Sequence, residues 1–372
     1  MSERELLCTI WLTFVFGYGS KRPAELIEKF GSAYNVFQNG IEELHFGRLS
    51  ESVKLAFAQK DLTYAEYILE KCNRDKMQIV CIQDEIYPKL LREISNPPVV
   101  LYCKGNIDRL SEMLFTAVGT RMADDEGKRI INDFLPPIKN AGFTIVSGFA
   151  DGAEEYIHKN IGETIAVLPN GINVNYPATN AGLKEIIIEK GGLVVTEFVH
   201  DVRPYKGNFY LRNRLLAGLS YGVLVLQAVE NSGTSISATA AGDYGRQVYA
   251  VPGSLYNPRF KGSIEMIRTG AIAVNSPYQI LEDYSAVYED IKMPLSYKEE
   301  PNTQIADLTK EKYKNLDETE LKVISCISGN RVHADEISAR TGISVQEINS
   351  ALMSLEIEGL VVRLDGNQYI IH

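Results

Sequence analysis

The stretch Tyr205-Lys206-Gly207-Asn208-Phe209-Tyr210-Leu211-Arg212-Asn213-Arg214 holds three cations and no carboxylate, with Phe209 and Tyr210 between the cations. Cations neutralise phosphates, and flat aromatic faces stack on unpaired bases. The combination suits a single-stranded nucleic acid better than a small sugar. The competing reading makes Phe209 and Tyr210 core residues and pairs the arginines with Glu197 or Asp201. A second segment, Asn257-Pro258-Arg259-Phe260-Lys261-Gly262, repeats the order of cation, aromatic and cation.

Small-residue loops recur after apolar runs. Gly119-Thr120-Arg121 follows Thr116–Val118, and Asp124 is placed to cap the next helix. The Gly119 and Thr120 amides are then expected to face an anion at that helix start, with Arg121 adding a bidentate cation. Ser147-Gly148 follows Thr144–Val146, Pro169-Asn170-Gly171 follows Thr164–Leu168, and Asn231-Ser232-Gly233-Thr234 follows Gly222–Gln227. Each is also an ordinary tight turn. Together, at neighbouring strand ends, they read as a phosphate-binding rim.

Absences narrow the chemistry. The sequence has no GxxxxGK[ST] loop and no GxGxxG with a downstream acid, so neither P-loop hydrolysis nor a nicotinamide cofactor is supported. No nucleophile–His–acid set assembles, and His158 reads as a structural hydrogen bonder. The five cysteines are scattered without a CxxC, and the five histidines lie far apart. Neither a disulfide framework, a zinc site nor a resident cofactor is expected. Leu6–Gly19 is too short to span a membrane and follows Glu3-Arg4-Glu5, a poor signal-peptide start. A cytoplasmic protein with reduced thiols is the expectation. The net charge of −10 excludes a wholly basic DNA-coating protein, but not a basic groove on an acidic body.

The elements that must hold these residues follow from periodicity. Residues 1–75 read as helical, with Leu6, Leu7, Ile10 and Phe14 at helical spacing and Gly31 closing a helix. The turn Gly17-Tyr18-Gly19-Ser20 between two helices fits either a helix-hairpin-helix (SAM-like) unit, with amides near a phosphate, or a plain bundle. Across 76–285, eight short Val/Ile/Leu-rich runs alternate with helical segments. This predicts an α/β body, an extended Rossmann-like doubly wound parallel sheet. Residues 286–316 read as a polar linker. Residues 317–372 predict three helices and a hairpin turning at Asp365-Gly366-Asn367, a winged helix.

Longer motifs now bear on identity. Val118-Gly119-Thr120-Arg121, Ser147 to Gly152, Phe209 to Ser220 and Tyr249-Ala250-Val251-Pro252-Gly253-Ser254 resemble signatures of the DprA/Smf family of DNA-processing proteins. Tyr87 to Leu91, Asn96-Pro97-Pro98 and Arg268-Thr269-Gly270-Ala271 fit as well. The resemblance implies a non-enzymatic protein, commonly dimeric, that binds and protects single-stranded DNA in natural transformation and helps load a RecA-type recombinase. It places DNA contacts on Gly119, Thr120 and Arg121, on Ser147 and Gly148, and within Lys206 to Arg214 at Lys206, Asn208, Phe209, Arg212, Asn213 and Arg214. The residue chemistry adds Gly233, Thr234 and Lys261. The chain departs from the family at Asp151, where an arginine is usual, at Ala153-Glu154 for Ile-Asp, and at Leu211, often arginine. If Asp151 faced the DNA, affinity should fall.

Two further expectations remain. From Asp317 to His372 there are nine Asp/Glu against four Lys/Arg, and Ser344–Gly359 has no Lys or Arg. Duplex reading by that helix would meet phosphate repulsion, so the winged helix reads as a protein-contact or regulatory module. The alternative function is a nucleotide phosphoribohydrolase-like enzyme of the same superfamily. Asn231 to Ser237 aligns with that family's loop, but Ser237 stands where its glutamate does chemistry.

Overall fold

The computed structural model describes residues 1–39, 50–230, 232–293, 316–327, 332–364 and 368–371. The chain divides into two compact units, Met1–Leu295 and Ser296–His372. No described helix is long and apolar enough to cross a membrane.

The first unit begins with helices α1 (Glu3–Phe16), α2 (Arg22–Phe30), α3 (Ala33–Gln38), α4 (Glu51–Gln59) and α5 (Thr63–Arg74). Ser2 caps α1 by accepting from the Glu5 amide, and α2 ends at Gly31 in the left-handed conformation. Trp11 gathers these helices, with Phe37 and Phe57 edge-on at 5.0 Å.

A sheet of nine strands follows: β1 (Gln78–Cys81), β2 (Val100–Gly105), β3 (Met113–Val118), β4 (Phe143–Ser147), β5 (Ile165–Val167), β6 (Leu193–Thr196), β7 (Gly222–Val225), β8 (Gln247–Ala250) and β9 (Ile272–Ala273). Their order is β1-β2-β6-β5-β4-β3-β7-β8-β9. From β6 to β9 every neighbouring pair is parallel, as the sequence predicts. At the other edge β1–β2 and β2–β6 are antiparallel, which departs from that prediction. An apolar run records burial but not strand direction. The two-residue β9, exposed at both positions, is not among the eight expected runs.

Side chains alternate across the sheet with the strand period of two. Leu114 and Val118 of β3, with Val223 and Val225 of β7, join the core under α10 (Lys206–Leu219) and α11 (Gly233–Asp243). Phe115, Ala117 and Leu224 face the opposite core under α7 (Asp125–Asn140), α8 (Ala153–Ile161) and α13 (Pro277–Ser285). Among the described residues, the remaining α-helices of this unit are α6 (Lys89–Arg92), α9 (Leu183–Glu189) and α12 (Lys261–Arg268). Thr116 is buried between strands and helix. Its hydroxyl donates to the Leu216 carbonyl at 2.8 Å and lies 2.6 Å from Ser220 Oγ, which pins α10 to β3.

The N-terminal helices share the α10 core, from Leu7 and Trp11 through to Leu215 and Leu216. The Gly17–Ser20 turn is therefore pressed against the sheet. Tyr18 stands edge-on to Phe198 at 4.8 Å, and its hydroxyl accepts from the Val199 amide at 3.3 Å. Gly19, at φ 73, lies against Leu211 so closely that a Cβ would overlap it. The carboxylate this turn meets is Glu197, buried and paired with Arg214 of α10. Burial raises the Glu197 carboxyl above the usual range, while the Arg214 charge and hydrogen bond and the Gly19 amide oppose the rise. The anion at this turn thus belongs to the protein, which answers the alternative of a phosphate-facing hairpin.

The second unit contains helices Glu318–Ile327, Ala334–Thr341 and Val345–Ile357 with strands β10 (Val332–His333), β11 (Val361–Leu364) and β12 (Gln368–Ile371), ordered β10-β12-β11. This is the winged helix that the periodicity predicts. Ser344 and Glu347 form a reciprocal capping box at the start of its third helix. The Asp365-Gly366-Asn367 turn, Asn231 and residues 294–315 of the expected linker lie outside the described residues. Residues 286–293 are not linker: Ile291 is buried, and the Lys292 amide donates to Ala141 O at 3.0 Å.

Replacing Arg214 by alanine would strand the Glu197 charge in the core. Loss of one partner of a buried pair costs about 3–5 kcal/mol. Urea unfolding of Arg214→Ala should show a loss of that size.

Candidate nucleic-acid interface

β3 and β7 are neighbours, but the chain winds away from them in opposite directions, to β4, β5 and β6 from one and to β8 and β9 from the other. The loops at their carboxyl ends diverge there and open a crevice. It is a cleft of about 920 Å³ walled by the loop after β3, the first turns of α10 and α11, and Tyr176.

Gly119, Thr120 and Arg121 all line this cleft. The expected role of the Thr120 amide needs correction. It donates to Gln227 O at 2.7 Å and is not available to a ligand. The start of α7 is filled as well, because Asp124 accepts from the Gly127 amide at 3.0 Å. Burial would raise the Asp124 carboxyl, but hydrogen bonds from Gly127, Gln227 and Asn257 and the Arg259 charge outweigh it and hold it below the usual range. The starts of α10 and α11, which line the cleft, are uncapped: Tyr205 and Ser232 make no side-chain cap. Both helix ends are positive and open on the cleft. The Ser232 hydroxyl is buried without a hydrogen-bond partner among the described residues.

Phe209 is the centre of the wall. The Arg121 guanidinium carbon lies 5.3 Å from its ring centroid, that of Arg212 lies 6.0 Å away, and Tyr176 meets it edge-on at 5.9 Å. These distances are within cation–π range. Arg121 is exposed, and neither it nor Lys206 has an ion-pair partner among the described residues. The cleft therefore carries uncompensated positive charge on a protein of net charge −10.

Arg212 is placed differently. Only 3% of it is exposed. Its NH1 nitrogen donates to Val167 O at 3.2 Å and pairs with Glu154 at 3.4 Å, while its Nε has no partner. Glu154 also accepts from the Ala150 amide at 2.8 Å. Gly148 makes room for this arrangement, because a Cβ there would overlap both the guanidinium and the Glu154 carboxylate. Behind it, His158 Nε2 lies 2.6 Å from Gly148 O and Nδ1 lies 2.7 Å from Thr164 Oγ1. Burial pulls the His158 pKa down to about 4, so the ring is neutral at pH 7 and holds the Gly148 loop.

The other expected residues divide between wall and scaffold. Asn213 and Thr234 line the cleft and also brace it. Asn213 donates to Gly233 O at 3.0 Å, and Thr234 donates to Gly119 O at 3.4 Å. Ser147 is fully buried and donates to Ala117 O at 2.7 Å. Asn208 donates to Arg203 O at 3.4 Å. Arg214 lies in the core with Glu197, the pairing that the competing reading allows. Neither Ser147, Asn208, Arg214 nor Lys261 is part of the cleft wall. Asp151 is also outside it and accepts from the Thr179 hydroxyl. Tyr176 belongs to the wall but was not among the residues expected from the sequence, whereas Tyr205 and Ser232 join it from segments that the sequence singles out. A tyrosine beside Pro177 carries no cleft signature by itself.

Gly148→Ala should displace the Arg212 guanidinium and lower the unfolding free energy by about 1–3 kcal/mol in urea titration.

The sequence model of DNA recombination-mediator protein A matches residues 78–285, and that of the DprA winged helix domain matches residues 309–367. Protein Smf of Synechocystis is 31% identical over 377 residues, covering 94% of each chain. The DNA processing protein DprA of Bacillus subtilis is 36% identical over 221 residues, 58% of this chain and 74% of that one. Among solved structures, DNA processing protein A of Streptococcus pneumoniae superposes with a TM-score of 0.63 at 27% identity over 77% of this chain and 99% of that one. A structure of the Helicobacter pylori protein, described by its single-stranded DNA binding mode, superposes at 0.51 with 29% identity, covering 57% of this chain and 97% of that one. A cleft at the sheet's switch point, a matching α/β body and a matching winged helix converge on one conclusion: the chain belongs to the DNA recombination-mediator protein A family, also called DprA/Smf.

Proposed function

We propose that the chain binds single-stranded DNA in this cleft and passes it to a RecA-type recombinase without chemistry of its own. The observation that carries the reading is Phe209 between two guanidinium groups, at the mouth of two uncapped helix starts. A base can stack on the aromatic wall while Arg121, Lys206 and the helix amides meet the backbone phosphates. The Helicobacter pylori relative, described as binding single-stranded DNA, adds support by likeness.

The absence of chemistry rests on what the polar groups already do. Glu154, the carboxylate in the wall, is held by Arg212 and the Ala150 amide. His158 is neutral and committed to Gly148 and Thr164. Ser237, where the phosphoribohydrolase reading needs a glutamate, is buried in α11. Release of free base from a nucleoside monophosphate by the purified chain would overturn this part.

The recombinase step is supported by the family's role as a recombination mediator. The third helix of the winged unit adds to it, with Met353 and Ile357 exposed one turn apart beside Glu356. An acidic helix with bare apolar side chains suits a protein partner better than a duplex groove. Filament assembly on DNA already coated with a single-strand binding protein should speed up when this chain is added. A homodimer in the cytoplasm is carried by the family resemblance alone, and sedimentation velocity tests the dimer.

Two variants separate charge from stacking. Arg121→Ala removes an exposed side chain, so stability should stay within about 0.5 kcal/mol. Affinity for a labelled oligothymidylate should fall in anisotropy titrations, and the slope of log K against log salt should shrink by about 0.7, one phosphate. Phe209→Ala should weaken binding by about 1–3 kcal/mol and leave that slope unchanged. Unaltered binding by both variants would refute the site.

A further inference from the structure

We infer that the site extends beyond the cleft onto the loop between β8 and α12, where Tyr256 forms a second stacking platform for the strand that leaves the cleft; this rests on the proposed single-strand binding. Tyr256 is 95% exposed and Leu255 beside it 72%. An aromatic ring so bare contributes nothing to the core. The loop that carries it is nonetheless tightly held. Asn257 donates to Glu126 at 3.0 Å and to Asp124 at 3.4 Å, and its own side-chain oxygen accepts from the Arg259 amide at 3.1 Å. Arg259 donates from Nε to Met122 O at 2.8 Å and pairs with Asp124 at 3.6 Å. A ring presented on a fixed loop loses little freedom when a base stacks on it.

Continuity with the cleft is direct. Met122 lines the cleft, is itself 65% exposed, and gives its carbonyl to the Tyr256 loop. Arg121 precedes it on the cleft side. Lys261, at the start of α12 on the far side, is exposed and has no ion-pair partner among the described residues. Three of the nearby acids are already engaged. Asp124 is held as described, Glu126 by Asn257, and Asp125 by Lys128 at 3.0 Å. A path therefore runs from Arg121 over Met122 and Tyr256 to Lys261, alternating cation and apolar surface as a sequence-tolerant single-strand track does. It also gives Lys261, which lies outside the cleft wall, a place on the same strand.

The test uses two oligothymidylates, one of about five nucleotides that fills the cleft and one of about twenty that reaches beyond it. Tyr256→Ala in the full chain should weaken the longer one about tenfold and leave the shorter one unchanged, while Tyr256→Phe should bind both as wild type. A 5-bromouracil placed along the longer strand should photocrosslink within the loop. Wild-type affinity of Tyr256→Ala for the longer strand, or equal losses for both lengths, overturns the inference; the former outcome would leave the loop to a protein partner. Failure of the unaltered chain to bind either oligonucleotide would overturn the cleft reading itself, a result distinguishable from failure at Tyr256 alone.

Discussion

Strand order reverses at β3, and the two loops that end β3 and β7 cannot stay together. A parallel sheet must return each strand through a crossover helix, so every strand end on one edge is followed by a helix start. At the reversal there is no crossover to cover the edge. The result is a crevice into which α10 and α11 point their uncapped, positive ends. The cationic cleft is therefore a consequence of winding. The side chains Arg121, Lys206 and Phe209 specialise what the topology leaves open.

Burial decides what each charge in this region does. Arg212 and Arg214 are two residues apart on α10, or about 200° around a helix. Arg212 reaches the cleft wall, braced by Glu154, while Arg214 turns to the opposite side and pairs with Glu197 under the N-terminal turn. One arginine supports the site, and the other joins the helical domain to the sheet. Asp124 shows the same economy. As a helix cap it closes α7 to outside anions, and by holding Asn257 and Arg259 it fixes the neighbouring loop at the rim.

The overall acidity of the chain is compatible with this arrangement because the charge is segregated. Five of the ten excess negative charges fall in 317–372, whose third helix carries no Lys or Arg. Glu154, the carboxylate in the cleft wall, is paired with Arg212, while Arg121 and Lys206 have no ion-pair partner among the described residues. The open positive charge is thus on the α/β unit, and half of the excess acid is on the winged helix.

The alternation of apolar runs and helices, the Gly/Ser loops, the Asp124 cap and the winged-helix pattern were legible in the order of residues, because each depends on contacts a few positions apart. The same is true of the Lys206–Arg214 segment as a cation–aromatic unit. Strand direction at the β1–β2 edge, the short β9, the inward Gly17–Ser20 turn and the part played by Tyr176 were not, since they are set by partners distant in the chain. Nor could sequence separate Arg212 from Arg214, or show that Asp151 turns to Thr179. Residue type states that a charge exists; only the packed fold states which opposite charge, ring or opening it meets, because that depends on which helix face the sheet has already claimed.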